Sequence, residues 1–218
     1  QQKKQDEEMN RILCFGDSNT WGYIPASNLE RFPAHVRWPG VLQMELGDEC
    51  SIVEEAQNGR TTVFDDPYET ICKNGSRHLP VVLESQKPVE VVVLMLGTND
   101  LKLHLNQNAL TIAHGAGVLV SRILQSDAGP NQKAPKVLLI SPAQIHPAQC
   151  PFGHKFDGTH EKSVGFAKAY REVAELHGVE FLDAAEHVKV PETDCIHFDE
   201  AGHAALGTAV AKKLRVML

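Results

Sequence analysis

Residues 11–18 read RILCFGDS, an apolar run that ends abruptly in a Gly-Asp-Ser turn. Short aliphatic runs bounded by Gly, Pro or Asp are typical of buried strands in a parallel sheet. Similar runs follow at 91–96 (VVVLML), 136–141 (KVLLIS) and 179–183 (VEFLD), with a weaker one at 51–55 (SIVEE). The sequence therefore predicts five buried strands.

Segments with a helical spacing of apolar residues separate these strands. They cover 38–47, 108–125 and 161–177, and a last one begins near Asp199 and reaches the C-terminus. Strands that alternate with helices favour right-handed crossovers, which give a parallel sheet with helices on both faces. The predicted class is therefore α/β.

Two stretches without such a pattern, 59–78 and 141–160, are predicted to be loops. Loops that follow the strands of a parallel sheet lie at the edge where ligands bind. We therefore expect both of them beside a functional site.

The composition indicates an ordinary soluble globular protein. Of 218 residues, 42% are hydrophobic and 22% charged, and the formal net charge is −7. An acidic chain lacks the basic face that nucleic acid requires, and no apolar run approaches the ~18 residues that span a bilayer. We expect neither a nucleic-acid partner nor a membrane. Residues 9–218 are expected to form one domain, and residues 1–8 a disordered tail or a leftover of expression.

The termini and cysteines bear on the compartment. The N-terminus lacks the apolar core of a secretory signal. The five cysteines are odd in number and widely spread, which does not indicate a disulfide framework or a zinc knuckle. We expect a cytoplasmic protein in which Cys195 packs beneath a loop, and a processed exported chain is the alternative.

Polar motifs stand where the predicted strands end. GDSN (16–19) follows the first strand, NGRTT (58–62) the second and GTND (97–100) the third, and DCIH (194–197) precedes the last helix. The carboxyl ends of parallel strands meet at one edge of a sheet, so the four motifs are expected to converge there. This is the geometry that a single active site needs.

Three of these residues fit a nucleophile, its base and the carboxylate that orients the base. A serine hydroxyl such as that of Ser18 is a poor nucleophile until an imidazole takes its proton. That imidazole needs a carboxylate on its other nitrogen, and Asp194 and His197 are close enough in sequence to meet on one turn. Taken alone, Asp194 could equally cap a turn and His197 could lie at the surface.

Three groups are candidates for an oxyanion hole, because acyl transfer forms a tetrahedral intermediate whose oxygen needs fixed donors. They are the backbone N–H groups of Ser18 and Gly59 and the side-chain amide of Asn99. Gly59 could instead be a glycine because the backbone there needs a positive φ. The Asn99-Asp100 pair could instead form an ordinary turn. We expect no cofactor and no metal.

The four motifs resemble those of the SGNH hydrolases, the GDSL-type esterases, and the match is closest to the arylesterase branch that includes the mycobacterial acyltransferase-perhydrolase. It covers nearly the whole chain after Met9, including RILCFGDSNTWGY, RFPAHVRWPGVL, GRTTVFDDP, MLGTND, APKVLLISP and IHFDEAGHAALG. The family usually has Leu where Asn19 stands, which we interpret as a tolerated departure.

The resemblance implies a flavodoxin-like three-layer α/β/α fold with a five-stranded parallel sheet. It implies Ser18 as nucleophile, His197 as base and Asp194 as its orienter, with Ser18, Gly59 and Asn99 forming the oxyanion hole. It also implies a homo-oligomer, a dimer or larger, in which neighbouring subunits narrow a hydrophobic channel.

Six further residues are candidates for lining a substrate pocket. Aromatic residues at this distance from a turn are as often part of the core, so the alternative of core packing stays open. The candidates that follow the nucleophile are Trp21, Tyr23 and Ile24, and those of the 141–160 loop are Ile145, Phe152 and Phe156.

The leading hypothesis is a serine esterase of short-chain, acetyl-type esters such as aryl esters, with acyl transfer to alcohols or peroxide as an added activity. A carbohydrate acetyl esterase is the rival within the same class. A non-enzymatic flavodoxin-like binding module is the rival from another class, since fold does not fix function. Against it, no glycine-rich phosphate loop follows a strand.

Overall fold

All five predicted strands are present and pair in one parallel sheet of the order β2-β1-β3-β4-β5. The structure, a computed structural model, describes residues 9–146, 148 and 153–218. The tail predicted at 1–8 lies outside this part. The strands are β1 (Asn10–Gly16), β2 (Cys50–Ala56), β3 (Val91–Met95), β4 (Lys136–Ser141) and β5 (Glu180–Asp183).

The predicted helical segments are all present, one of them interrupted, and three further α-helices among the described residues lie outside them. The segment predicted at 161–177 is two helices that are interrupted at Gly165, where a Cβ would come within 3.0 Å of the Ala109 Cβ. The helices are α1 (Ser18–Trp21), α2 (Trp38–Leu46), α3 (Gly75–Gln86), α4 (Ala109–Leu124), α5 (Gly153–Phe156), α6 (His160–Val164), α7 (Phe166–His177) and α8 (Glu200–Met217).

Helix α5 lies inside the stretch predicted to be a loop at 141–160, and helix α3 begins inside the one predicted at 59–78. Asn74 caps it by accepting the Ser76 N–H with its side chain. Pro80 lies in the interior of α3, and Leu79 and Leu83 are its only large buried apolar residues. A helix with a proline and so short an apolar stripe gives a weak periodic signal.

The sheet separates two hydrophobic cores. Along β1, Leu13 and Phe15 face one core, and Ile12 and Cys14 face the other, as the two-residue period of a strand dictates. The first core is covered by α3, α4 and α7, and the second by α2 and α8. The predicted three-layer α/β/α architecture is confirmed.

The strand order places the site. The chain leaves β1 toward β2 on one side and, later, β3 pairs with β1 on the other, so the connections diverge at the carboxyl end of β1. Ser18 follows β1 and Asn99 follows β3, which puts both at this crevice. Among the described residues, no helix is both long and apolar enough to span a bilayer.

Candidate active site

The turn after β1 holds Ser18 at the carboxyl edge of the sheet. Gly16 ends the strand, and a Cβ there would lie 2.0 Å from Thr20 Oγ1, so only glycine fits. Asp17 caps α1, since its carboxylate accepts the Asn19 N–H at 2.9 Å. Burial raises the pKa of Asp17 to about 6. The nucleophile candidate is thus fixed by a capped turn.

His197 links Ser18 to Asp194. Its Nε2 lies 2.9 Å from Ser18 Oγ, and its Nδ1 lies 2.7 Å from Asp194 Oδ2. With the ring proton on Nδ1, the serine hydroxyl donates to Nε2 and the imidazole donates to the carboxylate. All three side chains are buried. This arrangement can remove the serine proton and stabilise the imidazolium that results.

The carboxylate of Asp194 is held by three backbone N–H groups in addition to the His197 ring. It accepts from Ile196 at 3.0 Å, from His197 at 2.9 Å and from Ala26 at 3.2 Å. Burial alone would raise the pKa of Asp194, but the hydrogen bonds and the charge of His197 outweigh it and hold that pKa below its usual value. The group is therefore an ionised carboxylate at neutral pH.

Two side chains that follow the nucleophile hold His197. The amide of Asn19 donates to Ile196 O at 3.1 Å and accepts the Phe198 N–H at 3.1 Å. The ring of Tyr23 stacks on the imidazole, with the ring centroids 4.3 Å apart. The base is therefore fixed through the backbone on both sides and through one face of its ring.

The three predicted oxyanion donors line the same cavity as His197. In the described part of the chain, the backbone N–H groups of Ser18 and Gly59 donate to no acceptor. Gly59 adopts a φ of +81°, which favours glycine. One N–H of the Asn99 amide donates to Arg60 O at 3.1 Å, which leaves its second N–H for a ligand. Such donors can hold the oxygen of a tetrahedral intermediate.

Two buried side chains connect the loops that carry these donors, one to each other and one to the sheet. Asp100 accepts the Thr62 N–H at 3.0 Å and the Thr62 hydroxyl at 2.5 Å. Burial raises the pKa of Asp100 to about 7, although these bonds favour its charged form. The Arg60 guanidinium donates to Gly16 O at 3.0 Å and Glu55 O at 2.6 Å. From the sequence, neither Asp100 nor Arg60 was predicted to have a role. The only feature that pointed to them is that each directly follows a predicted oxyanion donor, Asn99 or Gly59.

The cavity beside Ser18 has a volume of about 250 Å³. Of the residues predicted to line it, Tyr23 and Phe156 do so. Phe152 lies outside the described residues. The remaining three, Trp21, Ile24 and Ile145, are not among the described residues that line this cavity.

These three residues make their contacts elsewhere in the structure. The Trp21 ring lies against the Arg31 guanidinium, 4.9 Å from centroid to carbon. Ile24 is partly exposed in the turn beyond Gly22. Ile145 is 4% exposed and packs in the core beneath α4 and α7.

Charged residues that the sequence reading did not assign also line the cavity. One of them, Lys102, forms an ion pair of 2.7 Å with Asp66, and both side chains are almost fully buried. Their loops carry no helix or strand period, so the sequence offered no signal for their positions. The four charged residues are Glu69, Lys73, Lys102 and Lys155.

The cysteines differ from the prediction at one position, because Cys195 is disulfide-bonded. It adopts a φ of +68° in the turn between Asp194 and His197. A single bridge leaves no spacing pattern in the sequence. The free thiols among the described residues are Cys14, Cys50 and Cys72.

No group of three or more His, Cys, Asp or Glu side chains is arranged to hold a metal ion in the described part of the chain. The site contains a hydroxyl, an imidazole, a carboxylate and an amide group, which are groups that acyl transfer uses.

Comparison with known proteins agrees with this geometry. Residues 14–205 match the GDSL-like lipase/acylhydrolase family. The aryl esterase of M. smegmatis is 40% identical, with a TM-score of 0.90, and the match covers 96% of this chain and 100% of that one. Est24, a carbohydrate acetylesterase from Sinorhizobium meliloti, is 37% identical, with a TM-score of 0.91 and the same coverage. Among curated proteins, none matches the chain.

Proposed function

The chain belongs to the GDSL-like lipase/acylhydrolase family, and from this membership we propose that it is a serine esterase that uses Ser18, His197 and Asp194. Proteins of this family hydrolyse carboxylic esters, and this membership argues against the hypothesis of a non-enzymatic binding module. The observation that carries the assignment of residues is the position of His197, within 2.9 Å of Ser18 Oγ and 2.7 Å of Asp194.

In the proposed acylation, Ser18 Oγ attacks the ester carbonyl and its proton passes to His197 Nε2. The carbonyl oxygen becomes an oxyanion that accepts from the N–H groups of Ser18, Gly59 and Asn99. Asp194 stabilises the imidazolium without taking its proton. The intermediate then expels the alcohol, which receives the proton from Nε2.

In the proposed deacylation, water takes the place of the alcohol. Its oxygen bonds to the acyl carbon while His197 Nε2 takes its proton, and a second oxyanion intermediate forms. The bond from the acyl carbon to Ser18 Oγ then breaks, Nε2 returns the proton to Ser18 Oγ, and the carboxylic acid leaves. An alcohol or peroxide that occupies the cavity would compete with water for the same acyl-enzyme. The apolar side chains of Tyr23, Phe156 and Ile196 line the cavity and support an acyltransferase activity, because they favour an organic acceptor over water.

A short acyl group suits the site best. A cavity of about 250 Å³ lies at the small end of the range for ligand sites. The similarity to the M. smegmatis aryl esterase supports an aryl leaving group.

A carbohydrate acetyl ester is the second candidate. The Tyr68 ring is 77% exposed and lines a second cavity that contains Glu69 and Lys102 of the first. An exposed ring beside charged groups suits a sugar, and Est24 is a carbohydrate acetylesterase.

One panel tests both candidates: 4-nitrophenyl esters of increasing acyl length beside acetylated xylose and glucose, each with and without added ethanol. We expect acetyl and propionyl aryl esters to give the highest kcat/KM, and ethanol to divert part of the acyl group into ethyl ester. A higher kcat/KM for the acetylated sugars would reverse the order of the two candidates.

We also propose that the protein forms a homo-oligomer. Exposed apolar side chains beside the two cavities support this proposal, namely those of Leu29, Tyr68 and Leu103. Burial of such side chains in an interface is favourable. Light scattering on the purified protein tests it, and a mass of one chain at micromolar concentration would contradict it.

A further inference from the structure

The lining of the cavity beside Ser18 is rich in lysine. It contains three lysines and one acidic residue, Glu69. The only other carboxylate paired with these lysines in the described part of the chain is that of Asp66. Three positive charges therefore meet two negative ones, in a chain whose net charge is −7. The lysines are Lys73, Lys102 and Lys155.

The two carboxylates are committed mainly to Lys102. Its Nζ lies 2.7 Å from Asp66 and 3.4 Å from Glu69. Asp66 also contacts His104 Nε2 at 2.8 Å, and its side chain is 1% exposed. Lys102 is therefore neutralised within the protein.

Lys73 keeps its hydrogen-bond donors. Its Nζ lies 3.8 Å from Glu69, beyond hydrogen-bonding distance, and its side chain is only 13% exposed. Within the described residues, no acceptor takes a hydrogen bond from this ammonium group. The residue is partly buried and lines the cavity, so its ammonium group can donate to an anionic ligand group there without breaking a hydrogen bond to the described protein.

Lys155 provides the excess charge. It is exposed at the edge of the cavity and forms no ion pair with any residue of the described ranges. Its ammonium group can therefore approach a ligand without breaking an existing contact.

Lys73 is also close to the reacting atoms. A Cβ on Gly59 would lie 3.4 Å from Lys73 Cε, so the lysine stem runs directly beside the proposed oxyanion donor. A ligand group a few bonds away from the ester carbonyl can reach its ammonium group.

The space for such a group continues past the lysines. A second cavity, of about 390 Å³, shares Glu69, Lys102 and Lys155 with the first. The two cavities therefore adjoin, with these charged residues between them.

We propose that this site binds esters that carry a carboxylate or another singly charged anion, held by Lys73 and Lys155. The inference rests on the proposed esterase function and narrows its substrate class. It differs from the expectation of a purely hydrophobic channel, since the ester would be selected by charge as well as by size.

Two matched pairs of esters test the proposal and locate the anion. On the acyl side, the 4-nitrophenyl monoester of adipic acid is compared with its methyl ester. On the alcohol side, 4-acetoxybenzoate is compared with methyl 4-acetoxybenzoate. We expect kcat/KM in one pair to be about tenfold higher for the anion at low salt, and the preference to fall as salt screens the charges.

Substitution assigns the preference to the lysines. We expect the ratio of anionic to neutral kcat/KM to fall toward one in K73Q and in K155Q, and to stay at the wild-type value in K168Q, which removes an exposed lysine of α7. A ratio at or below one in both pairs, or a ratio unchanged in the double variant K73Q/K155Q, overturns the proposal. Failure of the wild type to hydrolyse any of the four esters contradicts the esterase function itself.

Discussion

The side chain of Asn19 holds the backbone on both sides of His197. Its amide donates to Ile196 O and accepts the Phe198 N–H, each at 3.1 Å, and it is 4% exposed. The residue that follows the candidate nucleophile therefore fixes the candidate base. In the GDSL pattern this position is usually Leu, so Asn19 is more than a tolerated departure.

Replacing Asn19 by Leu removes both hydrogen bonds and puts an apolar side chain of similar size in place of the amide. We expect kcat to fall by roughly 10- to 100-fold with little change in KM, because the imidazole loses its alignment while the cavity remains. Steady-state kinetics on 4-nitrophenyl acetate measures this. The matched control is N108A, which removes the side-chain cap of α4 away from the site. A wild-type kcat in N19L, or an equal loss in N108A, contradicts the positioning role.

Replacing Asn99 by Ala tests the proposed oxyanion hole. We expect kcat to fall by roughly 10²- to 10³-fold, as for the loss of one oxyanion donor, and the melting temperature to change little. The reason is that, within the residues the structure describes, the amide donates to one acceptor, Arg60 O. If the variant kept the wild-type kcat, Asn99 would have no part in the mechanism.

Replacing Asp194 by Asn keeps the shape of the side chain and removes its charge. We expect kcat to fall on the order of 10³- to 10⁴-fold, because the amide favours the wrong tautomer of His197 and does not stabilise the imidazolium. The control is D199N, since Asn caps α8 as well as Asp199 does.

His203 makes stability depend on pH. It is fully buried and accepts the Trp38 N–H with Nδ1. Burial, with the charges of Arg37 and His197, lowers its pKa from 6.5 to about 3. At a pH between these two pKa values, His203 binds a proton in the unfolded chain and not in the folded chain. The free energy of unfolding therefore falls as the pH drops.

From pH 7 to pH 4.5 this site removes roughly 2 to 3 kcal/mol from the free energy of unfolding. We expect urea unfolding at the two pH values to show a smaller acid loss in H203N than in the wild type, and the wild-type loss in H35N, which changes an exposed histidine. Equal losses in H203N and wild type would show that His203 is not the cause.

The sequence predicted the fold well because its central strands, β1, β3 and β4, are mostly buried. The run 91–96 is apolar on both faces of the sheet, which is the signature of a central parallel strand. Helix α3 was missed, because Pro80 and a stripe of only two large apolar residues leave little periodicity. Propensity and period failed where tertiary contacts decide the structure.

The candidate site was predictable where polar residues follow strands directly. Ser18 and Asn99 lie within three or four residues of the ends of β1 and β3, so the topology brings them together. The lining of the cavity was not predictable in the same way. Trp21 and Lys73 owe their positions to turns whose course depends on contacts distant in the chain.

The central claim is that Ser18 is the nucleophile, activated by His197 at 2.9 Å. The most direct test is reaction with a fluorophosphonate probe, followed by mass spectrometry of the intact chain and its peptides, for the wild type and S18A. We expect one adduct per wild-type chain, located on Ser18, and none on S18A. An unlabelled wild type, or an adduct that persists in S18A, would contradict the account.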